Sequence, residues 1–247
     1  MGMVLVDKVA KFSIADSIGV VVPVNNGLKL LSFMGDAAGM NKVINGDQFA
    51  KIGSPEKLGE LISLCNEEAY VKTSQSLTES GTIIAAFKSQ DPNNNVTVCG
   101  WYPNQNGQAG VSIVNTEDGK ILAYAQLVNK SNPVEKISLT TSVNAQAKWV
   151  CVAIRWGVNA NNVVEMKIDN LTEKLASSAS SQANFKISTD TNFQPLAIGS
   201  GYVQGAEGAG PKMIAFGSYY DHSLSDVDLL KMHKYLKLLL LDQGVDV

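Results

Sequence analysis

The sequence predicts an all-β sandwich or jelly roll closed by one short helix. Apolar runs of strand length recur through the chain between polar turns rich in Asn, Asp, Gly and Pro. No β-α-β alternation occurs, which argues against a parallel nucleotide-binding sheet. The clearest helical signature lies near the C-terminus, after the last strand-like run.

Residues 1–27 show no clean alternation and are expected to form an N-terminal arm or a first strand, with Pro23 interrupting an extended piece. The domain proper is expected over 28–247. Leu28–Phe33 reads as a strand and Gly35–Asn41 as a loop. From Pro55 to Cys65, Leu58, Leu61, Ile62 and Cys65 share a helical face and predict a short helix. Glu68–Leu77 is extended. Strands follow at Thr82–Lys88, Val96–Tyr102, Val111–Val114 and Ile121–Val128. The last two form a hairpin, because Asp118-Gly119 suits the positive-φ positions of a tight turn. Lys136–Val143 alternates in part. In Trp149–Trp156 apolar residues fall on both faces, as in a central strand. Val164, Met166 and Ile168 alternate with Glu165, Lys167 and Asp169, which predicts a half-buried strand. Residues 173–186, rich in Ser, Ala and Gln, are expected to be a surface connection. Pro195–Gly199 is a short buried strand, and Lys212–Tyr220 is the last strand.

The helix has a local cause. Ser225 can accept hydrogen bonds from the free N–H groups of the first turn, and Asp228 stands where a capping-box acid stands. Asp226 and Asp228 suit the positive end of the helix dipole. Leu224 can pack on Leu229 as a hydrophobic staple. Leu229, Met232, Leu236 and Leu239 form the apolar face, with Lys231, Lys234 and Lys237 on the other side and Gly244 as the stop.

At 247 residues the chain can bury a substantial single core. Net charge is −3 with scattered basic residues, which disfavours nucleic-acid binding. Arg155 is the only arginine, so an arginine cluster for phosphate or carboxylate is excluded. The cysteines Cys65, Cys99 and Cys151 are odd in number and widely spaced, as expected of buried free thiols rather than a disulfide framework or zinc site. The N-terminal residues show no signal-peptide pattern, and Ile18–Val24 is too short to span a bilayer. The formal sequons at Asn95, Asn129 and Asn170 are read as chance matches, and the protein is expected to be made in a cytosol.

Three segments resemble the concanavalin A-like lectin/glucanase superfamily, in particular its laminin-G-like branch. They are Trp149-Val-Cys-Val-Ala-Ile-Arg155, followed by Val164–Asn170; Pro195-Leu-Ala-Ile-Gly199; and Met213–Leu236, with its Tyr220-Asp-His-Ser-Leu-Ser-Asp226. Asp36-Ala-Ala-Gly39 ahead of Tyr70-Val-Lys-Thr73 resembles the opening of the same pattern. The resemblance covers residues 28–240, is most specific in its last third, and implies a two-sheet antiparallel jelly roll. Such modules recur in bacteriophage tail fibres, spikes and other virion proteins.

Glucanases of that superfamily use paired carboxylates spaced E-x-D-x-x-E on one strand, a geometry suited to acid/base hydrolysis. The motif is missing here. Glu165 and Asp169 share a face with Lys167 between them and read as a solvated strand face. Asp221, His222 and Asp226 read as turn and helix cap rather than a calcium site. The two histidines, His222 and His233, have no nucleophile motif around them. No catalytic residue, metal or cofactor is expected.

A sugar site needs aromatic rings to stack on a pyranose, with amides and carboxylates nearby to read its hydroxyls. Trp101, Tyr102, Asn104 and Asn106 form the best local set, and Tyr202, Tyr219 and Tyr220 a second. The competing expectation is that these rings pack in the core or at an oligomer contact. The leading expectation is a non-enzymatic virion structural protein (tail fibre, spike or decoration component). Its partners would be other virion proteins, copies of itself or cell-surface polysaccharide, without nucleic acid or membrane insertion. A stand-alone carbohydrate-binding lectin domain is the alternative, and a glycoside hydrolase the remote third.

Overall fold

The structure, a computed structural model, describes residues 19–44, 46–89, 95–101, 110–145, 148–189, 194–200 and 210–247. Its strands, in chain order, are β1 (Leu28–Phe33), β2 (Ala50–Ile52), β3 (Glu56–Lys57), β4 (Ser63–Cys65), β5 (Tyr70–Lys72), β6 (Gly81–Ser89), β7 (Val96–Gly100) and β8 (Val111–Asn115). They continue as β9 (Lys120–Asn129), β10 (Lys136–Asn144), β11 (Val150–Val158), β12 (Val163–Asn170), β13 (Leu175–Ala183), β14 (Phe185–Ile187), β15 (Ala197–Ile198) and β16 (Lys212–Tyr220). A short 3-10 turn occupies Gly35–Ala37, and among the described residues one α-helix, α1 (Asp226–Leu241), follows the last strand.

The strands form two antiparallel sheets of eight. The first runs β13-β12-β11-β6-β16-β4-β3, with β1 joined to β16 beyond the stretch that β4 occupies. The second runs β10-β9-β8-β7-β15-β5-β2, with β14 against the end of β9. The fold is the all-β sandwich that the strand pattern predicts.

Two cores explain the near-continuous apolar runs of β6 and β11. Ile83, Ala85 and Phe87 with Val152, Ile154 and Trp156 face the second sheet. Their alternates, Ile84, Ala86, Cys151 and Ala153, face outward beneath α1. A strand buried on both faces has no polar parity to show. The outer core is completed by Leu31, Phe33 and Phe216, by Val22 and Val24 ahead of β1, and by Leu229, Met232, Leu236 and Leu240 of the helix. The order is therefore sheet, sheet, helix.

The predicted helix cap is present: Asp228 N–H donates to Ser225 Oγ at 3.1 Å. Leu240 takes the fully buried place expected of Leu239, which is half-buried. Gly244, at φ +74°, turns the chain so that Val245 N–H reaches Leu240 O at 3.1 Å and Val245 and Val247 re-enter the core.

Two predicted elements are corrected. The expected helix over Pro55–Cys65 is instead the hairpin β3–β4, whose turn donates Leu58 N–H to Ile62 O at 3.0 Å. Gly59 favours the turn, and β4 gains a tertiary partner in β16. Residues 173–186 are not a plain connection, because they contain the edge strand β13 and begin β14. Small polar side chains hid β13; its pairing to β12 supplies the order that propensity does not. The N-terminal arm falls largely on residues 1–18, outside the described residues; Val22 and Val24 belong to no strand and are buried in the outer core.

Candidate functional site

Trp101, Tyr219 and Tyr220, expected as sugar platforms, are buried. Trp101 packs edge-on against Trp156 and Tyr219, with ring centroids 5.9 and 5.2 Å apart, and Trp156 stacks on Tyr219 at 6.2 Å. The polar tips of this cluster hold the segment before β6. Trp101 Nε1 donates to Gln75 O at 2.8 Å and Trp156 Nε1 to Thr78 O at 3.0 Å, while the Tyr219 hydroxyl lies 2.5 Å from Thr78 Oγ1. Burial pushes the Tyr219 phenol above its ordinary range. Tyr220 points into the outer core and donates to Val24 O at 3.0 Å. These rings fasten the end of the sandwich and offer no face to a ligand. Tyr102, Asn104, Asn106 and Tyr202 lie outside the described residues.

The acidic residues singled out in sequence also have structural partners. Asp169 does not sit on a solvated face: it is buried, and its Oδ2 receives Arg155 Nη2 at 2.8 Å and Nε at 3.2 Å. Arg155 Nη1 donates to Leu224 O at 2.8 Å, and Nη2 lies 2.6 Å from Asp226 Oδ1. Lys167 Nζ lies 3.2 Å from both Asp169 Oδ1 and Asp226 Oδ1. Thr82, directly opposite Arg155 on β6, accepts Leu224 N–H at 2.9 Å and donates to His222 O at 2.8 Å. The only arginine is thus part of a clasp that ties the helix N-terminus to β6, β11 and β12. Glu165 accepts from Asn159 Nδ2 at 2.7 Å, and Asp221 pairs with Lys29 at 3.0 Å. Among the described residues no group of three or more His, Cys, Asp and Glu could hold a metal ion. All three cysteines are free and buried, and desolvation pushes each thiol up to about 12.

A different surface brings together the groups that a sugar site needs. On β9, Ile121, Ala123, Ala125 and Leu127 point into the inner core, so Leu122, Tyr124 and Gln126 point outward. Tyr124 stands opposite Ser112 of β8 and Thr140 of β10. Its hydroxyl lies 2.8 Å from Ser138 Oγ, one diagonal step along β10. Ser138 and Thr140 are exposed, and Tyr124 is half-buried, with part of its side chain open to solvent. The same cross-strand row continues through Gly100, Ala197 and Lys72, but Ser112, Gly100 and Ala197 are buried, so the groups open to a ligand are Tyr124, Ser138 and Thr140. The small residues fit tightly there: a Cβ at Gly100 would lie 2.5 Å from that of Ser112. Lys72 Nζ donates to Gln194 Oε1 at 3.0 Å. One ring flanked by serine and threonine hydroxyls can stack on an apolar sugar face and exchange hydrogen bonds with its rim. The sequence reading missed Tyr124 because β9 is rich in apolar residues on both parities. The recoverable signal was the shared parity of Tyr124 and Gln126 against Ala123 and Ala125, matched by Ser138 and Thr140 on the next strand.

No family model and no curated protein matches the chain. Solved structures do. The receptor-binding domain of a botulinum neurotoxin C/D mosaic serotype is 12% identical, with a TM-score of 0.57 over 87% of this chain and 53% of its own. A structure of botulinum neurotoxin type C, whose cell entry depends on two ganglioside molecules, is 13% identical, with a TM-score of 0.53 over 85% and 51%. A leech intramolecular trans-sialidase, complexed with 2,7-anhydro-Neu5Ac, is 16% identical, with a TM-score of 0.52 over 85% and 28%. The chain spans about half or less of the length of these neighbours. At such identities the likeness is one of fold: this chain shares their all-β sandwich.

Proposed function

We propose that this chain is a lectin-like module that binds carbohydrate without transforming it. The observation that carries the reading is Tyr124, a partly exposed ring on a sheet face with hydroxyl groups on the adjacent strand, in a sandwich like those of glycan-handling proteins. The ligand class we assign is a neutral polysaccharide. Its recognition needs one stacking ring and several hydroxyl partners, whereas the arginine best suited to grip a carboxylate is committed to the helix clasp. The virion role implied by the superfamily resemblance is the weaker reading, because none of the structural likenesses supports it, whereas those likenesses are consistent with a lectin-like module.

The test is retention on immobilised neutral polysaccharides and a glycan array, with wild type and Tyr124→Ala compared at equal thermal stability. Wild type is expected to be retained and the variant to lose at least about tenfold in affinity, roughly 1.4 kcal/mol. A folded wild type that binds no neutral glycan, equal retention of the variant, or release of new reducing ends would overturn the proposal.

A further inference from the structure

The solvent side of α1 is not polar. Val227, Leu230, Leu238 and Leu241 are 62%, 54%, 75% and 51% exposed. At about 100° per residue they fall, with Lys234, within a stripe roughly 80° wide. That stripe lies diametrically opposite the face formed by Leu229, Met232, Leu236 and Leu240, which is buried on the first sheet. The helix is therefore apolar on two opposite sides, and packing among the described residues uses one of them. An ordered apolar stripe of this kind on an otherwise polar helix surface marks a contact with another molecule.

The spacing identifies the occupant. The stripe is symmetric about Lys234: Leu230 and Leu238 stand four residues on either side, and Val227 and Leu241 seven. A twofold axis through Lys234 would place Leu230 against Leu238 of a second copy and Val227 against Leu241 of the second copy, the reciprocal pattern of an isologous interface. The charges follow the same symmetry. Asp226 and Lys237 lie on one flank of the stripe, and Lys231 and Asp242 on the other. Within the chain Asp226 is paired with Arg155 and Lys167, Lys231 with Asp228 and Lys237 with Asp246, so three of these four flank charges are neutralised before a second copy arrives. Lys234 meets its own mate at the centre; its stem covers apolar surface while its ammonium reaches water, and a single polar residue at such a position fixes register at some cost in stability.

We propose that two copies of this chain associate through an antiparallel α1–α1 contact centred on Lys234. The inference is independent of the carbohydrate reading. Where that reading also holds, the Tyr124 faces lie on the sheets remote from α1, so the dimer is bivalent with outward-facing sites and gains avidity on a repeating polymer.

The test combines sedimentation equilibrium with cysteine crosslinking. Wild type should pass from monomer to dimer between about 1 μM and 1 mM, and Leu238→Glu should stay monomeric with an unchanged melting temperature, since Leu238 makes no buried contact. Lys234→Leu should tighten the dimer at least tenfold. On mild oxidation Lys234→Cys should crosslink to itself. A mixture of Leu230→Cys and Leu238→Cys should give mixed dimers that neither forms alone. The native cysteines are buried and do not compete. A wild type that remains monomeric at 1 mM, a dimer that survives Leu238→Glu, or self-crosslinking of Leu230→Cys would overturn the proposal.

Discussion

Replacing Arg155 by methionine removes the centre of the clasp that seats α1 while keeping an unbranched apolar stem on β11. The Arg155 and Asp169 side chains are 9% and 12% exposed, so the pair is desolvated. In Arg155→Met the Asp169 carboxylate loses both nitrogens on Oδ2, and Leu224 O loses its donor, while Lys167 remains 3.2 Å from Asp169 Oδ1. Leaving one member of a buried pair uncompensated costs about 3–5 kcal/mol. The remaining lysine places the expected loss near the lower end, about 3 kcal/mol. For a domain of this size that lowers the melting temperature by roughly 6–12 °C. Circular dichroism melting measures it, and hydrogen exchange should show amides 226–241 opening before the sheets. A double variant, Arg155→Met with Asp169→Leu, should recover most of the loss, because an apolar pair of similar volume carries no unpaired charge. A loss below about 1 kcal/mol in the single variant, or a double variant no better than the single, would refute the argument.

Two further outcomes follow from the same reasoning. Hydrogen bonds from Arg155 and then Lys167 hold the Asp226 carboxyl below the usual carboxylate range. A depressed folded-state value contributes stability that is present above the unfolded value near about 3.9 and is lost as pH falls through the folded value. Asp226 is 72% exposed, so Asp226→Asn should cost under about 1 kcal/mol at pH 7. Its acid-unfolding curve below pH 4 should be shallower than that of wild type, and an unchanged or steeper curve refutes the assignment. Gly81→Ala would drive a Cβ into the Trp156 indole, 2.7 Å from Cη2. Overpacking of this kind costs about 1–3 kcal/mol. A lower urea midpoint with altered tryptophan emission is expected, and an unchanged midpoint would show that the aromatic cluster yields freely.

Local chemistry made much of this molecule readable before folding was considered. Ser225 and Asp228 mark the helix start because a cap is a contact among neighbours in sequence. Asp118-Gly119 marks the β8–β9 hairpin because Gly119 sits at φ +76° without steric cost. The apolar runs of β6 and β11 announce strands because both faces are buried. Where local signals were silent or ambiguous, partners far along the chain decided. β13 is a run of Ser, Ala and Gln that becomes a strand through β12, and Cys65 is drawn into β4 by β16. Asp169 and Arg155 are 14 residues apart in sequence, yet the antiparallel register brings them into one buried pair, which no spacing rule reveals. The same register buries Trp101 and Tyr219 between the sheets and Tyr220 in the outer core, and leaves Tyr124 on the outer face of the second sheet. The sequence by itself determined the class of the fold, since strand propensity, turns and caps act within a few residues. Alternation gave the buried face of β12 in Val164, Met166 and Ile168, but where a strand shows no clean alternation, as in β9, which face meets water was decided by the tertiary structure, because side-chain direction depends on a pairing register set across the whole sheet.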